Sequence, residues 1–252
     1  ETAGRPMTII REERIGNQRL ILGDCLEVVR HLGKIDAVVT DPPYSSGGFN
    51  EAGKSQGSIG TTTKNRRIQG DTLSTRGYEA LVRRTLRAAD AQAAYVFTDW
   101  RMWPVTTEAV ELAGYRVRGM LVWNKMWPAM GARWKMQHEL ICWGARVTSE
   151  MGPGHGNVLS FPRSGNESHP TEKPIALMEH LVGNIEGETI LDPFMGSGTT
   201  LVACQRMGRA GTGIELDPDY FDIACRRVEE AARQPDLLIP ETRPQPVQEQ
   251  LL

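Results

Sequence analysis

Leu191-Asp192-Pro193-Phe194-Met195-Gly196-Ser197-Gly198-Thr199-Thr200 is the stretch that sets the fold. Ile190-Leu191 reads as the end of a short strand. Gly196 and Gly198 then allow a ligand to approach the backbone closely at a strand-to-helix turn. A helix over Thr199 to Met207 follows, and Gly211-Thr212-Gly213-Ile214-Glu215-Leu216-Asp217 supplies a second strand that ends in an acid. A lone glycine-rich turn is a weak signal. Strand, glycine loop, helix and acid-tipped strand together form the unit that holds an adenosine ribose by its hydroxyls.

Working outward, Pro174 to Ile185 is a helix whose apolar residues Ile175, Leu177, Met178, Leu181 and Val182 share a face. His169-Pro170-Thr171-Glu172-Lys173-Pro174 leads into it. Near the start, Leu20-Ile21-Leu22 reads as a strand ending at Gly23-Asp24-Cys25, and Leu26, Val29 and Leu32 repeat at helical spacing. A second apolar run, Ile35 to Thr40, carries Asp41-Pro42-Pro43-Tyr44 at its end. Prolines there also have a bland reading, since they end strands and stiffen turns. Helices are expected over Tyr78 to Ala89, Trp103 to Ala113 and Phe221 to Ala232. Strands are expected over Ala94 to Thr98, Val117 to Trp123 and His138 to Trp143. Strands alternating with helices predict a mainly parallel sheet covered on both faces, an α/β fold. Residues 45–75 are rich in Gly, Ser, Thr and Asn with scattered basic residues, and read as a long insert. Residues 7–232 are expected to form one catalytic domain starting at Met7, with 233–252 a loose proline- and glutamine-rich tail.

The Asp41–Tyr44 tetrapeptide, the 169–174 motif, the 191–200 loop and the Gly211–Asp217 strand, in that order, resemble the β group of DNA amino-methyltransferases, whose motif order is circularly permuted. The resemblance spans most of Leu20 to Val228. It implies a Rossmann-like, seven-stranded, mostly parallel sheet with one antiparallel strand. It also implies methyl transfer from S-adenosyl-L-methionine, leaving S-adenosyl-L-homocysteine, to an exocyclic nitrogen of a base flipped out of duplex DNA. Asp at the head of the tetrapeptide favours adenine N6, with cytosine N4 as the alternative. A protein-glutamine methyltransferase is disfavoured by the motif order, and a silent DNA-binding protein by the intact motifs.

The implied chemistry suits these residue types. An amino nitrogen conjugated to a base ring is a poor nucleophile. The Asp41 carboxylate and Pro42 carbonyl can accept its two hydrogens and free its lone pair, while Pro43 stiffens the unit. Tyr44 offers a face for the extruded base. For the cofactor, the family's positions fall on Asp24, Cys25, Asp41, His169, Thr171, Lys173, Asp192, Pro193, Phe194, Gly196, Ser197, Gly198, Thr199, Thr200, Glu215 and Leu216. Among them Glu215 is assigned the ribose hydroxyls, Asp192 the methionine ammonium, Asp24 the adenine amino group, and Thr171 with Thr199 or Thr200 the methionine carboxylate. Asp24 also reads as a helix N-cap, and His169 as a structural hydrogen-bonding residue without a metal.

Composition bounds the alternatives. The 252 residues carry a net charge of -2, and four scattered cysteines give neither a zinc-ligand spacing nor a disulfide framework, which suits a reducing bacterial or phage-infected cytoplasm. A slightly acidic chain is unusual for a DNA partner, but the charges are uneven. Lys64, Asn65, Arg66, Arg67 and Gln69 cluster in the insert and suit phosphates and base edges. Trp127 and Trp134 lie among Lys125, Arg133 and Lys135, and read either as a second DNA surface or as core tryptophans with solvated charges. Duplex DNA, a second copy of the chain and a cognate restriction enzyme are the expected partners.

Overall fold

The computed structural model describes residues 9–43, 73–128, 133–147, 154–163 and 172–233. Tyr44, the cluster Lys64, Asn65, Arg66, Arg67 and Gln69, the motif residues His169 and Thr171, and the tail from 234 onward lie outside the described residues.

The strands are β1 (Ile9–Ile15), β2 (Gln18–Gly23), β3 (Ala37–Thr40), β4 (Ala93–Thr98), β5 (Arg116–Asn124), β6 (His138–Ala145), β7 (Val158–Ser160), β8 (Thr189–Asp192) and β9 (Ala210–Glu215). They form one nine-stranded sheet in the order β1-β2-β9-β8-β3-β4-β6-β5-β7. Only β1 and β6 run against the rest. The span from β2 to β5 is therefore the expected seven-stranded sheet with one reversed strand. β1 and β7 are additions at its edges, which the sequence pattern did not predict. β1 carries Arg11-Glu12-Glu13-Arg14 and has no buried residue. It is held by its ladder with β2 and by the Arg19–Glu12 ion pair at 2.9 Å. β7 is three residues long and buries Leu159 alone, too short for any periodicity to register.

The helices are α1 (Cys25–Val28), α2 (Thr75–Ala89), α3 (Trp103–Leu112), α4 (Ile175–Gly183), α5 (Thr199–Arg206) and α6 (Pro218–Arg233). The helix expected from Leu26 to Leu32 is shorter: α1 is a single turn, followed by a 3-10 turn at Val29–His31. α2 starts inside the 45–75 segment, because the Ser74 hydroxyl caps the Gly77 N–H at 3.1 Å and Thr75 is already helical.

Alternation along the strands splits the core between the two faces. Val38 joins Val28, Val82, Leu86 and Val110 under α1, α2 and α3. Ala37 and Val39 join Leu177, Leu181 and Ala203 under α4 and α5. Leu20 and Leu22 meet Leu201, Phe221 and Val228 under α5 and α6. Crossovers from β2 and β3 thus lie on one face, while those around β8 and β9 lie on the other. The chain changes faces between β8 and β3, which pair directly at Ala37↔Ile190 and Val38↔Leu191. Such a switch point opens a crevice at the carboxyl ends of the strands.

Candidate active site

A row of acids occupies that carboxyl edge. Parallel pairing puts Asp24 after β2, Glu215 at the end of β9, Asp192 at the end of β8, Asp41 after β3 and Asp99 after β4 on one edge of the sheet. The reversed strand β6 begins there, so Glu139 joins the row. Asp41 and Asp192 flank the switch point.

The glycine loop is built as a ligand cradle. Gly196 has φ +52, and a β-carbon there would meet nothing within 4 Å. Gly198 has φ +81, and a β-carbon there would lie 2.8 Å from Ala224 Cβ. Gly196 therefore faces open space, whereas Gly198 lets the loop press against α6. The Glu215 carboxylate accepts the Gly196 N–H at 2.9 Å, the Leu216 N–H at 2.9 Å and the Asp217 N–H at 2.8 Å. Burial pushes its carboxyl pKa up, against those N–H donors. The three bonds lock its rotamer and leave one acceptor site, on Oε2, for a further donor.

Other expected cofactor residues are placed differently from one another. Asp24 is exposed and caps α1 through the Leu26 N–H at 2.8 Å, so the N-cap reading holds alongside its position on the edge. Cys25 turns into the core, its thiol 3.9 Å from the Thr85 hydroxyl, and burial pushes it up to about 12. Asp192 is buried. It accepts the Thr40 hydroxyl at 2.8 Å, the Thr200 hydroxyl at 2.5 Å and the Phe194 N–H at 3.2 Å, and burial pushes it up to about 6. It braces β3 against the glycine loop. Pro193 is buried, Phe194 packs partly buried on the core, and Leu216 is exposed.

Arg227 of α6 was not singled out from the sequence. Its guanidinium donates to the Ser197 carbonyl at 2.7 Å, the Ser197 hydroxyl at 2.8 Å and the Thr199 hydroxyl at 3.1 Å, and it pairs with Glu172. It ties the glycine loop to the segment before α4. The available signal was a charge between Ala224 and Ala231, at the i−3 and i+4 positions of a buried helix face.

Lys173 stands with Asp41. Its buried ammonium pairs with Asp41, lies 3.3 Å from Glu139 Oε2 and sits 5.1 Å over the Phe97 ring. Burial works against its charge, but Asp41 and Glu139 raise its pKa above the ordinary lysine range. Glu139 also pairs with Lys125, which folds back over the Trp123 ring at 5.0 Å. Lys125 therefore belongs to this half-buried cluster and not to the surface read from the sequence. Trp127 and Trp134 do belong to a surface: they are 73% and 83% exposed, against the reading as core tryptophans. They lie between β5 and β6, in the connection that leaves the same edge as Asp41. Trp100, just after β4, is also exposed, with the Arg101 guanidinium 5.2 Å over its ring. Among the described residues no group of three or more His, Cys, Asp or Glu converges as a metal site.

This geometry defines a Rossmann-like α/β fold with a row of acids at its switch point. Solved structures share the fold. The complex of M1.HpyAVI with SAM superposes with TM-score 0.62 at 22% identity, over 84% of this chain and 98% of that one. The cytosine-N4-specific PvuII DNA methyltransferase superposes with TM-score 0.64 at 16% identity, over 87% and 90%. A family model described as DNA methylase matches residues 148–226. A protein of Escherichia coli (strain K12) described as methylase YubD is 30% identical over 217 residues, 83% of this chain and 89% of that protein. The Type II methyltransferase M.HpaI of Haemophilus parainfluenzae is 25% identical over 243 residues, 84% of this chain and 74% of that protein. The chain belongs to the DNA amino-methyltransferases that act on N6 or N4, in their β group.

Proposed function

We propose that this chain transfers a methyl group from S-adenosylmethionine to N6 of adenine in duplex DNA, after flipping the base into the crevice. The observation that carries this reading is the direct pairing of β3 with β8, which sets Asp41 and Pro42 beside the glycine loop. The crevice fits the cofactor: Gly196 leaves an open cradle, and Glu215 is held rigid at its rim. Glu215 receives the ribose hydroxyls and Asp24 the adenine amino group. Asp192 lies behind the loop with three donors already on its carboxylate, leaving one acceptor site on Oδ2 for the methionine ammonium.

When bound, S-adenosylmethionine supplies a methyl group already activated on a sulfonium. The chain's own residues do the rest. Asp41 and the Pro42 carbonyl accept the two amino hydrogens and hold the nitrogen lone pair in line. As the N–C bond forms and the C–S bond breaks, positive charge moves onto the nitrogen, and the Asp41 carboxylate stabilises it until the proton passes to Asp41 or to water. Exposed Trp127, Trp134 and Trp100, with Arg101, Arg133 and Lys135, offer stacking faces and phosphate contacts beside the crevice. The sequence adds Lys64, Asn65, Arg66, Arg67 and Gln69 as residue types suited to phosphates and base edges.

Cytosine N4 is the second reading, because it presents the same pair of amino hydrogens to the same two acceptors. Nucleoside mass spectrometry of unmethylated genomic DNA, incubated with the protein and S-adenosylmethionine beside an Asp41→Ala variant, tests both. N6-methyladenine formed by the parent, with a loss on the order of 10²-fold or more in the variant, is expected. N4-methylcytosine instead replaces the base. No methylated base, with the cofactor bound, overturns the reading.

A further inference from the structure

Glu139 stands beside the catalytic acid with no part in the scheme above. It is half-buried with its Oε2 shielded from solvent, and Lys125 pairs with it on one side. Lys173 Nζ lies 3.3 Å from its Oε2, within ion-pairing range but off the axis of a hydrogen bond, so Oε2 has no hydrogen-bonded partner. A buried carboxylate oxygen left without a hydrogen bond is costly and uncommon. It is explained if a donor arrives there during function. The nearest donor is the Lys173 ammonium, which in this state is bonded to Asp41 Oδ2.

The charges supply a reason for that ammonium to move. Asp41, Glu139, Lys173 and Lys125 together are neutral. Methyl transfer brings positive charge onto a nitrogen bonded to Asp41. A second cation bonded to the same carboxylate opposes it at close range. A short displacement of Nζ onto Glu139 keeps Lys173 paired and releases Asp41 to serve the nitrogen.

We infer that Glu139 is a positioning residue for methyl transfer: it receives the Lys173 ammonium when the target amino group takes its place on Asp41. The inference rests on the methyltransferase reading. Glu139 acts through Lys173 and touches no reacting atom. Burial works against its ionisation, but Lys173 and Lys125 hold its carboxyl pKa below the usual range, so it is charged and ready to accept.

Single-turnover and steady-state methylation are compared for the parent, Glu139→Gln, Glu139→Asp, Lys173→Met and the Glu139→Gln/Lys173→Met double variant, on one unmethylated duplex pool. Glu139→Gln strands the ammonium on Asp41. The methyl-transfer rate falls about tenfold or more, with KM for S-adenosylmethionine within about twofold. Glu139→Asp keeps the charge and regains most of the rate. In the double variant the stranded cation is gone, so it turns over faster than Glu139→Gln alone. Lys173→Met leaves two carboxylates close together, and the acid limb of its rate–pH profile moves upward. A merely structural role predicts losses that add in the double variant and an unmoved pH limb, and either result overturns the inference. Parent-like rates in a folded Glu139→Gln overturn it while leaving the methyltransferase reading intact. No turnover by the parent overturns both. Thermal melts and cofactor titration of each variant separate these outcomes from misfolding.

Discussion

Gly196 and Gly198 stand two residues apart in one loop, yet a methyl group added to each meets different surroundings. At Gly198 it collides with Ala224 on α6, and the positive φ adds strain. Gly198→Ala is expected to destabilise the fold by about 2–4 kcal/mol, from left-handed strain plus overpacking. At Gly196 the same methyl group enters open space with a positive φ, so only about 1–2 kcal/mol of strain is expected. If that space receives the cofactor, Gly196→Ala loses cofactor affinity out of proportion to its stability. Urea denaturation together with calorimetric titration of S-adenosylmethionine separates the two. Equal ratios of stability loss to affinity loss at both positions count against the cradle. Both glycines were visible in the sequence as a pair. Which one faces the ligand was not, since that depends on the residue 26 positions away in α6 that each one meets or avoids.

Between elements, the decisive contact joins β3 to β8. Asp36, just before β3, accepts the Glu188 N–H at 2.9 Å, the Thr189 N–H at 3.0 Å and the Thr189 hydroxyl at 2.8 Å at the start of β8. Burial works to raise its pKa, but the Thr189 N–H and hydroxyl and the Glu188 N–H outweigh it and hold the carboxyl at about 2. A depressed pKa means stability that is present above the unfolded value, near 4, and lost as pH falls through about 2. Asp36→Ala should cost about 2 kcal/mol at neutral pH from its lost bonds to a charged acceptor. The gap between parent and variant should close as pH falls from about 4 toward 2, followed by denaturant titration. A gap independent of pH refutes the clamp. The sequence made β3 and β8 legible because both are continuous apolar runs, the mark of strands buried on two faces. β1 escaped notice because its pattern is charged, although Gly16-Asn17 between β1 and β2 is itself a hairpin signal. Arg227 and Glu139 escaped for another reason. A charged residue inside an apolar pattern looks like a solvated exception until its partners, 55 residues away at Glu172 or 34 residues away at Lys173, are known.

Across the whole molecule, a net charge of -2 hides a division of labour. The acids gather at the carboxyl edge of the sheet, where on the proposed reading they meet hydroxyls and amino groups. Among the described residues the cations Arg101, Arg133 and Lys135 flank exposed tryptophans at the same edge, and the sequence adds the basic residues Lys64, Arg66 and Arg67. On the proposed reading, attraction to DNA comes from a patch and not from the total. Each phosphate contact contributes about −0.9 to the slope of log K against log salt. If Lys64, Arg66, Arg67, Arg133 and Lys135 each meet a phosphate, the parent slope should be roughly −4 to −5. Arg133→Ala/Lys135→Ala should flatten it by about 2. Trp127→Ala/Trp134→Ala should weaken binding by about 1–3 kcal/mol for each base stacked, with the slope unchanged, because stacking releases no counterions. Both tryptophans are exposed, so neither change should lower the melting temperature by more than a degree or two. Fluorescence anisotropy on a labelled duplex across a salt series measures slope and affinity together. A tryptophan variant that changes the slope, or a basic variant that does not, would remove this edge from the DNA-binding surface and leave recognition to the insert.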